Sequence, residues 1–155
     1  MPEAEALYEI NDGIAYITLN RPEKLNAINP EMRQILWDAF QDVKHNPEVR
    51  CAIVTGSGRA FSTGHDLVAM ANARANEGPS TGDLYVVQSN IWTPIIAAIN
   101  GAAVGLGLTY PMLWDIRVAA EDAKLGFVFN RRGFLPEGNS LWLLSRLVGA
   151  SCALE

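Results

Sequence analysis

Ser62, His65 and Asp66 lie close together in the segment AFSTGHDL (60–67), which follows a short apolar run. A serine, a histidine and an aspartate are the side chains of a hydrolase triad. Triads, however, are assembled from distant segments, and adjacent side chains on an extended turn point apart. The segment also lacks the GxSxG turn that presents a nucleophilic serine. A nucleophile at Ser62 is therefore not expected.

Gly64 offers a different chemistry, through the backbone. Glycine lets the chain turn where a side chain would block it, so the following amide N–H, that of His65, can face a pocket and hold a carbonyl oxygen. The alternative is a plain strand-to-helix connection in which Asp66 caps the helix. Taken alone, this motif favours the plain connection.

The segment INGAAVGLGLTY (99–110) has the same arrangement of a strand, a glycine turn and a helix. Unpaired N–H groups at a helix N-terminus bind anions and oxyanions. Gly105 and Gly107 do not form a dinucleotide fingerprint, because the spaced third glycine is lacking. Close helix–strand packing is the alternative for these glycines alone. The two turns together could supply one N–H each to one carbonyl oxygen, and losing one such donor costs ~2.7–4 kcal/mol of barrier.

The elements that position these turns alternate between strands and helices, which predicts an α/β fold. Asn11-Asp12-Gly13 is expected to join a β-hairpin, and Asn29-Pro30-Glu31 to begin a helix that ends at Asn46-Pro47. The further predictions are a strand over VRCAIVTG, a helix over LVAMANARA, a mobile loop over NEGPSTGD (76–83), a helix over LYVVQSNIW (84–92), a strand over IIAAING, a helix over LGLTYPMLWD, a strand over IRVAA and a helix capped by Asn139 or Ser140. One domain is expected over 1–155, with a C-terminal portion missing after GASCALE.

Composition excludes several classes of function. The net charge of −5 and pI near 5.0 argue against nucleic-acid binding, which needs a basic surface. The sequence shows no membrane-spanning run and no secretory signal. Cys51 and Cys152 lack a CxxC partner and are expected to be buried thiols in the cytoplasm or another reducing compartment. The two histidines, His45 and His65, are too isolated for a metal site.

Four segments occur in the order and spacing of the crotonase family, the enoyl-CoA hydratase/isomerase superfamily. They are RPEKLNAI, AIVTGSGRAFSTGHDL, AAINGAAVGLGLTYPMLWDIRVAA and RRGFLPEGNSLWLLSRLVG, and the resemblance runs from about Leu7 to the end of the chain. It implies a spiral of ββα turns with two roughly perpendicular sheets, followed by a helical trimerisation region that is largely absent from this sequence. It also implies an acyl-CoA substrate, no further cofactor and a homotrimer or dimer of trimers.

The resemblance implies that two backbone N–H groups bind the thioester oxygen and stabilise an enolate. By position these are the amides of His65 and Leu106, and the His65 imidazole is expected to be incidental or pocket-lining. Leu106 replaces the glycine more usual in this turn. Any residue except proline can donate the N–H, provided that the backbone angle suits leucine.

The hydratases of this family use two glutamates, whose positions match Thr109 and Phe129 here. Glu137, in GFLPEGNS, matches the single base of the peroxisomal-type Δ3,Δ2-enoyl-CoA isomerases. The alternative for Glu137 is a first-turn helix acid favoured by the macrodipole. Apolar neighbours, among them Phe134 and Leu135, are expected to desolvate its carboxylate.

The resemblance also implies the residues that contact substrate. Lys24, Leu25 and Ala27 match the segment that lines the CoA adenine site, with Asp66 and Leu67 on its other side. The remaining expected contacts are Thr63, Gly64, Met70, Gly105, Thr109, Phe129, Leu135 and Pro136. The sequence is compatible with three functions: an isomerase with Glu137 as base, a hydratase with Glu137 and water, and a non-catalytic acyl-CoA-binding or interaction module.

Overall fold

The computed structural model describes residues 4–72, 78–138 and 140–154. Within these ranges the strands form a five-stranded and a three-stranded sheet, and the predicted α/β class is confirmed. The strands are β1 (Ala6–Asn11), β2 (Ile14–Leu19), β3 (Cys51–Gly56), β4 (Ala60–Ser62), β5 (Ile95–Ile99), β6 (Ala102–Val104), β7 (Ile116–Ala119) and β8 (Leu125–Gly126). The helices are α1 (Pro30–His45), α2 (Leu67–Asn72), α3 (Thr81–Gln88), α4 (Leu106–Leu113), α5 (Ser140–Val148) and α6 (Ala150–Leu154), with 3₁₀ turns at Pro22–Lys24 and Asn130–Arg132.

The predicted hairpin is present and has a two-residue turn. β1 and β2 are antiparallel, and Asn11 pairs with Ile14, so Asn11 belongs to the strand. Asp12 and Gly13 have φ values of 50° and 76°. A type I′ turn needs positive φ at both central positions, which Asp-Gly adopts readily. The turn therefore sets the register at the outer edge of the large sheet.

The two sheets are connected by a repeated pattern. β3 leads into β4, β5 into β6 and β7 into β8, so each step passes from the large sheet, ordered β1-β2-β3-β5-β7, to the small sheet, ordered β4-β6-β8. All pairs in the small sheet are parallel. Helices α2 and α4 follow the first two steps. This is the ββα arrangement that the family resemblance implies, although the sequence itself has no visible repeat.

Helix α1 begins and ends where its sequence signals predict. The Asn29 side chain accepts a hydrogen bond from the Met32 amide at 2.9 Å, and Pro30 occupies the first helical position. The helix ends before Asn46. Its buried residues repeat at helical spacing and pack on the large sheet: Met32, Leu36, Ala39, Phe40 and Val43.

Helix α3 begins earlier than predicted. The Asp83 amide donates to Ser80 Oγ at 3.1 Å, and the Ser80 amide donates to the Asp83 carboxylate at 2.7 Å. This reciprocal capping places Thr81–Asp83 inside the helix rather than in the predicted loop. The helix also ends at Gln88, before the predicted Trp92. The start of that loop, 76–77, and the end of the predicted LVAMANARA helix, 73–75, lie outside the described residues.

Helix α4 is buried on every side, from Leu106 to Met112. A helix that is apolar all round belongs in a protein interior. At its N-terminus Thr109 Oγ1 donates to the Gly105 carbonyl at 3.0 Å, which satisfies the hydroxyl within its own helix. The beginning of α4 is thus held rigidly in the core.

The C-terminal part of the described chain is more exposed. All four residues of β7 are exposed, as are Leu141 and Trp142 of α5. Cys51 is half-buried but Cys152 is exposed, so the prediction of two buried thiols is wrong for Cys152, because α6 has no buried residue. Ser140 does not cap α5 as predicted, because it is the first residue of the helix and its Oγ has no hydrogen-bond partner among the described residues. Asn139, the alternative cap, lies outside those residues. None of the helices in the described ranges is long and apolar enough to cross a membrane.

Candidate active site

The two glycine turns lie side by side. β4 and β6 are parallel neighbours, so their carboxyl ends meet at one edge of the small sheet. A Cβ atom at Gly64, where φ is +87°, would lie 2.9 Å from the Val104 oxygen and 3.1 Å from the Leu106 nitrogen. A Cβ at Gly107 would clash with the Ser62 carbonyl. Both glycines are therefore required for the turns to touch, which joins the two motifs that the sequence predicted would act together.

The His65 amide points away from the segment around Ile28, which lies beside it and pairs with it as a strand would. The Ile28 amide donates to the Gly64 oxygen at 2.7 Å, and the Asp66 amide donates to the Ile28 oxygen at 3.0 Å. In a parallel pairing of this kind, Ile28 with His65, the central residue directs its own N–H to the opposite side. Among the described residues, nothing accepts a hydrogen bond from the His65 amide.

The Leu106 amide is the first N–H of α4, where a helix has no internal acceptor. The amides of Leu108 and Thr109 already donate to the Gly105 oxygen, each at 2.9 Å. The unusual backbone angles fall on Gly105, with φ 54° and ψ −123°, and Leu106 itself has no positive φ. The Leu106 side chain is 2% exposed and packs in the core. Leucine is therefore accommodated at this position, as the donor role requires.

Glu137 lies next to the first turn. The His65 Nε2 is 3.2 Å from Glu137 Oε2, and their side chains are 15% and 31% exposed. The sequence predicted that the imidazole is incidental or pocket-lining, but the structure places it within hydrogen-bond distance of the predicted base. Because 72 positions separate the two residues, no local pattern announces this contact.

Two tyrosines lie beside Glu137: Tyr85, which sequence reasoning missed, and Tyr110, for which the sequence predicts a place in the core or the acyl pocket. Tyr85 of α3 packs against Gly138, where φ is +57° and any side chain would clash with the phenol ring. Tyr85 and Tyr110 pack edge to face, with ring centroids 5.2 Å apart. Burial and the Glu137 carboxylate raise the pKa of both phenols. At Tyr110 the neighbouring Tyr85 raises the pKa as well. Both hydroxyls are therefore neutral hydrogen-bond donors.

The polar surroundings of these hydroxyls differ slightly. The Tyr85 hydroxyl approaches Thr109, which lowers the pKa of that phenol a little, but the contact lacks the geometry of a full hydrogen bond. The Tyr110 hydroxyl is buried and has no hydrogen-bond partner among the residues that the structure describes. A substrate or a water molecule could therefore receive a hydrogen bond here.

Thr109 and Phe129, which the family resemblance matches to the two glutamates of hydratases, lie around the second turn. Thr109 is 0% exposed, and Phe129 is buried and stacks on Phe127. The Phe129 ring lies 3.8 Å from the place that a Cβ on Gly105 would take. Neither side chain can act as a base at this location. Glu137 is consequently the carboxylate that the structure brings to the paired turns.

The predicted CoA-adenine residues come together from two segments. The Thr63 amide donates to the Leu25 oxygen at 3.1 Å. Arg21 joins the segments, because its Nη1 donates to the Ala27 oxygen at 2.6 Å and to Asp66 Oδ2 at 3.0 Å. The side chains of Lys24 and Leu67, on either side, are exposed.

Asp66 is also the predicted helix cap. Its Oδ1 accepts from the Ala69 amide at 3.0 Å. This hydrogen bond, followed by the neighbouring Arg21, holds the pKa of the Asp66 carboxyl below its usual value, and burial opposes them in part. The carboxylate is thus committed to α2 and to Arg21.

Asn26 is a structural residue of the site that sequence reasoning missed. It is fully buried with φ +54°, and its Nδ2 donates to the oxygens of Ser57 and Ala60 at 2.9 and 2.8 Å. Its Oδ1 accepts from the Arg21 amide at 2.8 Å. The asparagine itself is the signal in the sequence that could have identified this position, because asparagine adopts a left-handed backbone conformation more readily than most residues. Asn26 fastens the 21–27 segment to β4.

Part of the predicted apolar wall is different in the structure. Leu135 is 88% exposed and Phe134 is exposed as well, so these two residues do not desolvate Glu137 as predicted, and Pro136, a predicted substrate contact, is also exposed. These residues lie in a segment without helix or strand, between the 3₁₀ turn and α5. The Met70 side chain lies outside the described residues. Within the described ranges, no three His, Cys, Asp or Glu side chains are grouped to hold a metal ion.

Comparison with known proteins gives consistent matches. Residues 9–155 match the sequence model of the family described as enoyl-CoA hydratase/isomerase. The chain is 35% identical to 1,2-epoxyphenylacetyl-CoA isomerase of Escherichia coli (strain K12), over 96% of this chain and 60% of that protein. It is 34% identical to (E)-benzylidenesuccinyl-CoA hydratase of Thauera aromatica, over 95% of this chain and 59% of that protein.

A solved structure agrees with the fold. The enoyl-CoA hydratase/isomerase from Pseudoalteromonas atlantica T6c superposes with a TM-score of 0.90 and 32% identity, covering 96% of this chain and 59% of that one. The chain thus spans about 60% of the length of the relatives it matches. The match extends over nearly the whole sequence and includes both glycine turns. The chain belongs to the enoyl-CoA hydratase/isomerase family.

Proposed function

We propose that this protein is a Δ3,Δ2-enoyl-CoA isomerase in which Glu137 is the single base. The observation that carries the proposal is the pairing of one carboxylate with two adjacent turns whose amides, His65 and Leu106, have no acceptor among the described residues. Thr109 and Phe129 stand where a hydratase has its two glutamates. One carboxylate is sufficient for isomerisation but not for the usual hydratase mechanism.

The reaction moves one double bond, and it moves one proton from C2 to C4 in two transfers. Glu137 removes a proton from C2, and the electron pair of that C–H bond shifts toward the thioester, giving a dienolate with its negative charge on the thioester oxygen. The two amides stabilise that oxygen. The protonated Glu137 then returns a proton to C4, which leaves the double bond between C2 and C3 and regenerates the carboxylate.

The amides contribute most where charge develops. Preorganised N–H donors in a site shielded from water stabilise an oxyanion without reorganising, and each is worth about 2.7–4 kcal/mol of barrier. The Leu106 amide adds the favourable end of a helix dipole, because it is the first amide of α4. The rigid packing of both turns keeps the donors in place between the two proton transfers.

The substrate is expected to be a CoA thioester, and no further cofactor is needed. The support lies in the 24–27 segment, which the Arg21–Asp66 pair and the Thr63 amide hold beside the first turn. A homotrimer or dimer of trimers and a reducing compartment remain proposals from the family resemblance. Sedimentation analysis and localisation of the tagged protein test them.

A hydratase that uses Glu137 and an ordered water is the second candidate. The Tyr110 hydroxyl favours it, because this buried donor has no partner among the described residues and the Glu137 charge acts on it, raising its pKa after burial and Tyr85. A water held there could be activated by the carboxylate. The relative from Thauera aromatica is named as a hydratase, which supports this candidate at the level of reaction type.

One experiment separates the candidates. The protein is given a 3-enoyl-CoA and, in a second reaction, a 2-enoyl-CoA, and the 2-enoyl thioester absorbance is followed for the native protein and Glu137→Gln. Conversion of the 3-enoyl substrate that falls at least about 100-fold in the variant is expected. Loss of 2-enoyl absorbance would instead indicate a hydratase. CoA-thioester binding without turnover of either substrate would indicate a binding module and overturn the proposal.

A further inference from the structure

His65 contributes two chemically separate groups at one position. Its backbone N–H belongs to the paired turns, and its imidazole reaches Glu137 with Nε2 3.2 Å from Oε2. Every residue except proline has a backbone N–H. The backbone and side-chain contributions of His65 can therefore be separated by substitution.

The imidazole has no competing acidic partner among the described neighbours. Asp66 is adjacent in sequence, but its carboxylate accepts from Arg21 at 3.0 Å and from the Ala69 amide at 3.0 Å. The Glu137 carboxylate is the group that lies within hydrogen-bond distance of the ring. The pair is therefore a specific contact rather than part of a wider charge network.

Glu137 faces neutral groups on its other side. Tyr85 and Tyr110 lie beside it, and its charge helps to raise the pKa of both phenols. The cation Arg33 acts on Tyr110 from α1. The Glu137 backbone is held at the entry to α5, because its oxygen accepts from the Ser140 amide at 2.9 Å. Its carboxylate, by contrast, is hydrogen-bonded among the described residues to His65 alone, so this contact is the restraint on the orientation of the side chain.

We propose that the His65 imidazole is a positioning residue for the base: its Nε2–H donates to Glu137 Oε2 and leaves Oε1 directed at the substrate. This inference rests on the proposed isomerase function of Glu137. A fixed carboxylate meets both C2 and C4 in the same plane, whereas a free one samples unproductive rotamers. Misplacement of a catalytic group by about 1 Å can cost roughly 100-fold in rate.

The test compares two variants that both retain the backbone N–H. His65→Phe keeps a planar ring but removes the donor, and His65→Gln keeps a side-chain N–H at nearly the same reach. For 3-enoyl-CoA isomerisation we expect kcat to fall about 10- to 100-fold in His65→Phe, with KM within about twofold, and His65→Gln to recover most of kcat. Thermal unfolding of each variant shows whether the fold is kept.

Several outcomes would overturn the inference. A native kcat in His65→Phe, or an equal loss in His65→Gln and His65→Phe, would exclude a positioning hydrogen bond. A rise in KM alone would assign the ring to substrate binding instead. If Glu137→Gln is inactive while His65→Phe is fully active, only the inference fails. If Glu137→Gln is fully active, the proposed function fails first and the inference falls with it.

Discussion

The turn after β4 and the turn after β6 offer the same backbone group through different side chains. In each, a glycine with positive φ precedes a residue whose amide has no acceptor among the described residues. His65, in the first, is partly exposed and reaches Glu137, whereas Leu106, in the second, is buried in the core. A donor supplied by the backbone leaves the side chain free for another role, and the two turns use that freedom in opposite ways.

The two glycines also differ in why they are needed. A Cβ at Gly64 would meet the Val104 oxygen and the Leu106 nitrogen at about 3 Å, so Gly64 sets the spacing between the turns. Among the described residues, a Cβ at Gly105 would meet only the Phe129 ring, at an ordinary 3.8 Å. Gly105 is required by its backbone angles rather than by lack of space.

The largest effect is expected from Gly64→Ala. The added methyl must push the turns apart and misalign both donors, so kcat should fall at least about 100-fold, the loss typical of one missing oxyanion donor. Gly105→Ala is the matched control, because it strains the backbone by about 1–3 kcal/mol but causes no clash. Its kcat should fall less than that of Gly64→Ala. Steady-state kinetics and thermal unfolding of both variants measure the difference. Equal losses would show that spacing is not what distinguishes the turns.

The next effect concerns stability. Leu106→Ala keeps the amide but leaves a cavity in the core, so the free energy of unfolding should fall by about 2–5 kcal/mol. His65→Ala removes a side chain outside the core together with its hydrogen bond to Glu137, and should lower the free energy of unfolding by only about 0.5–1.5 kcal/mol. Urea denaturation of the two variants tests this contrast. A destabilisation by His65→Ala as large as that by Leu106→Ala would mean that the His65 side chain, too, packs in the core.

The smallest expected effect is a pH dependence of the free energy of unfolding, which comes from Asp66. The Ala69 amide and Arg21 lower the pKa of this carboxyl in the folded state, so Asp66 stabilises the fold above its unfolded pKa, about 3.9. That stabilisation is lost as pH falls through the folded pKa. The difference in unfolding free energy between the native protein and Asp66→Asn should therefore shrink below about pH 4.

Urea denaturation across pH 2.5–7 measures that difference, and Asp122→Asn, an exposed position, controls for the loss of one charge. A difference for Asp66→Asn that stays constant across this range would contradict the pairing of Asp66 with α2 and Arg21. Such a result would also remove the link that holds the 21–27 segment beside the first turn.

Much of the scaffold was predictable because its signals are local. The Asp12-Gly13 turn, the Asn29 cap and the glycine turns are each specified by neighbouring residues whose backbone preferences are strong. The early start of α3 was also encoded locally, in Ser80 and Asp83, but the surrounding glycine and proline concealed it. The resemblance to the family supplied what local patterns could not, the placement of Glu137 near the turns.

The details of the site were less predictable because they depend on contacts between distant segments. His65 contacts Glu137 although 72 positions separate them in the sequence. Tyr85 packs on Gly138 from α3, which precedes β5 and β6 in the chain. No periodicity or motif specifies such contacts. The exposure of Leu135 was mispredicted for the same reason, since an apolar residue was assumed to be buried near the base.

The most direct test of the paired turns is the infrared carbonyl stretch of a bound thioester. A saturated acyl-CoA labelled with ¹³C at the thioester carbonyl binds without reacting, so the C=O frequency reports the two amide hydrogen bonds alone. We expect a lower frequency than in water for the native protein and for His65→Phe, and a return toward the water value in Gly64→Ala. An unshifted carbonyl in the native protein, or a shift that survives Gly64→Ala, would contradict the oxyanion-binding role of these turns.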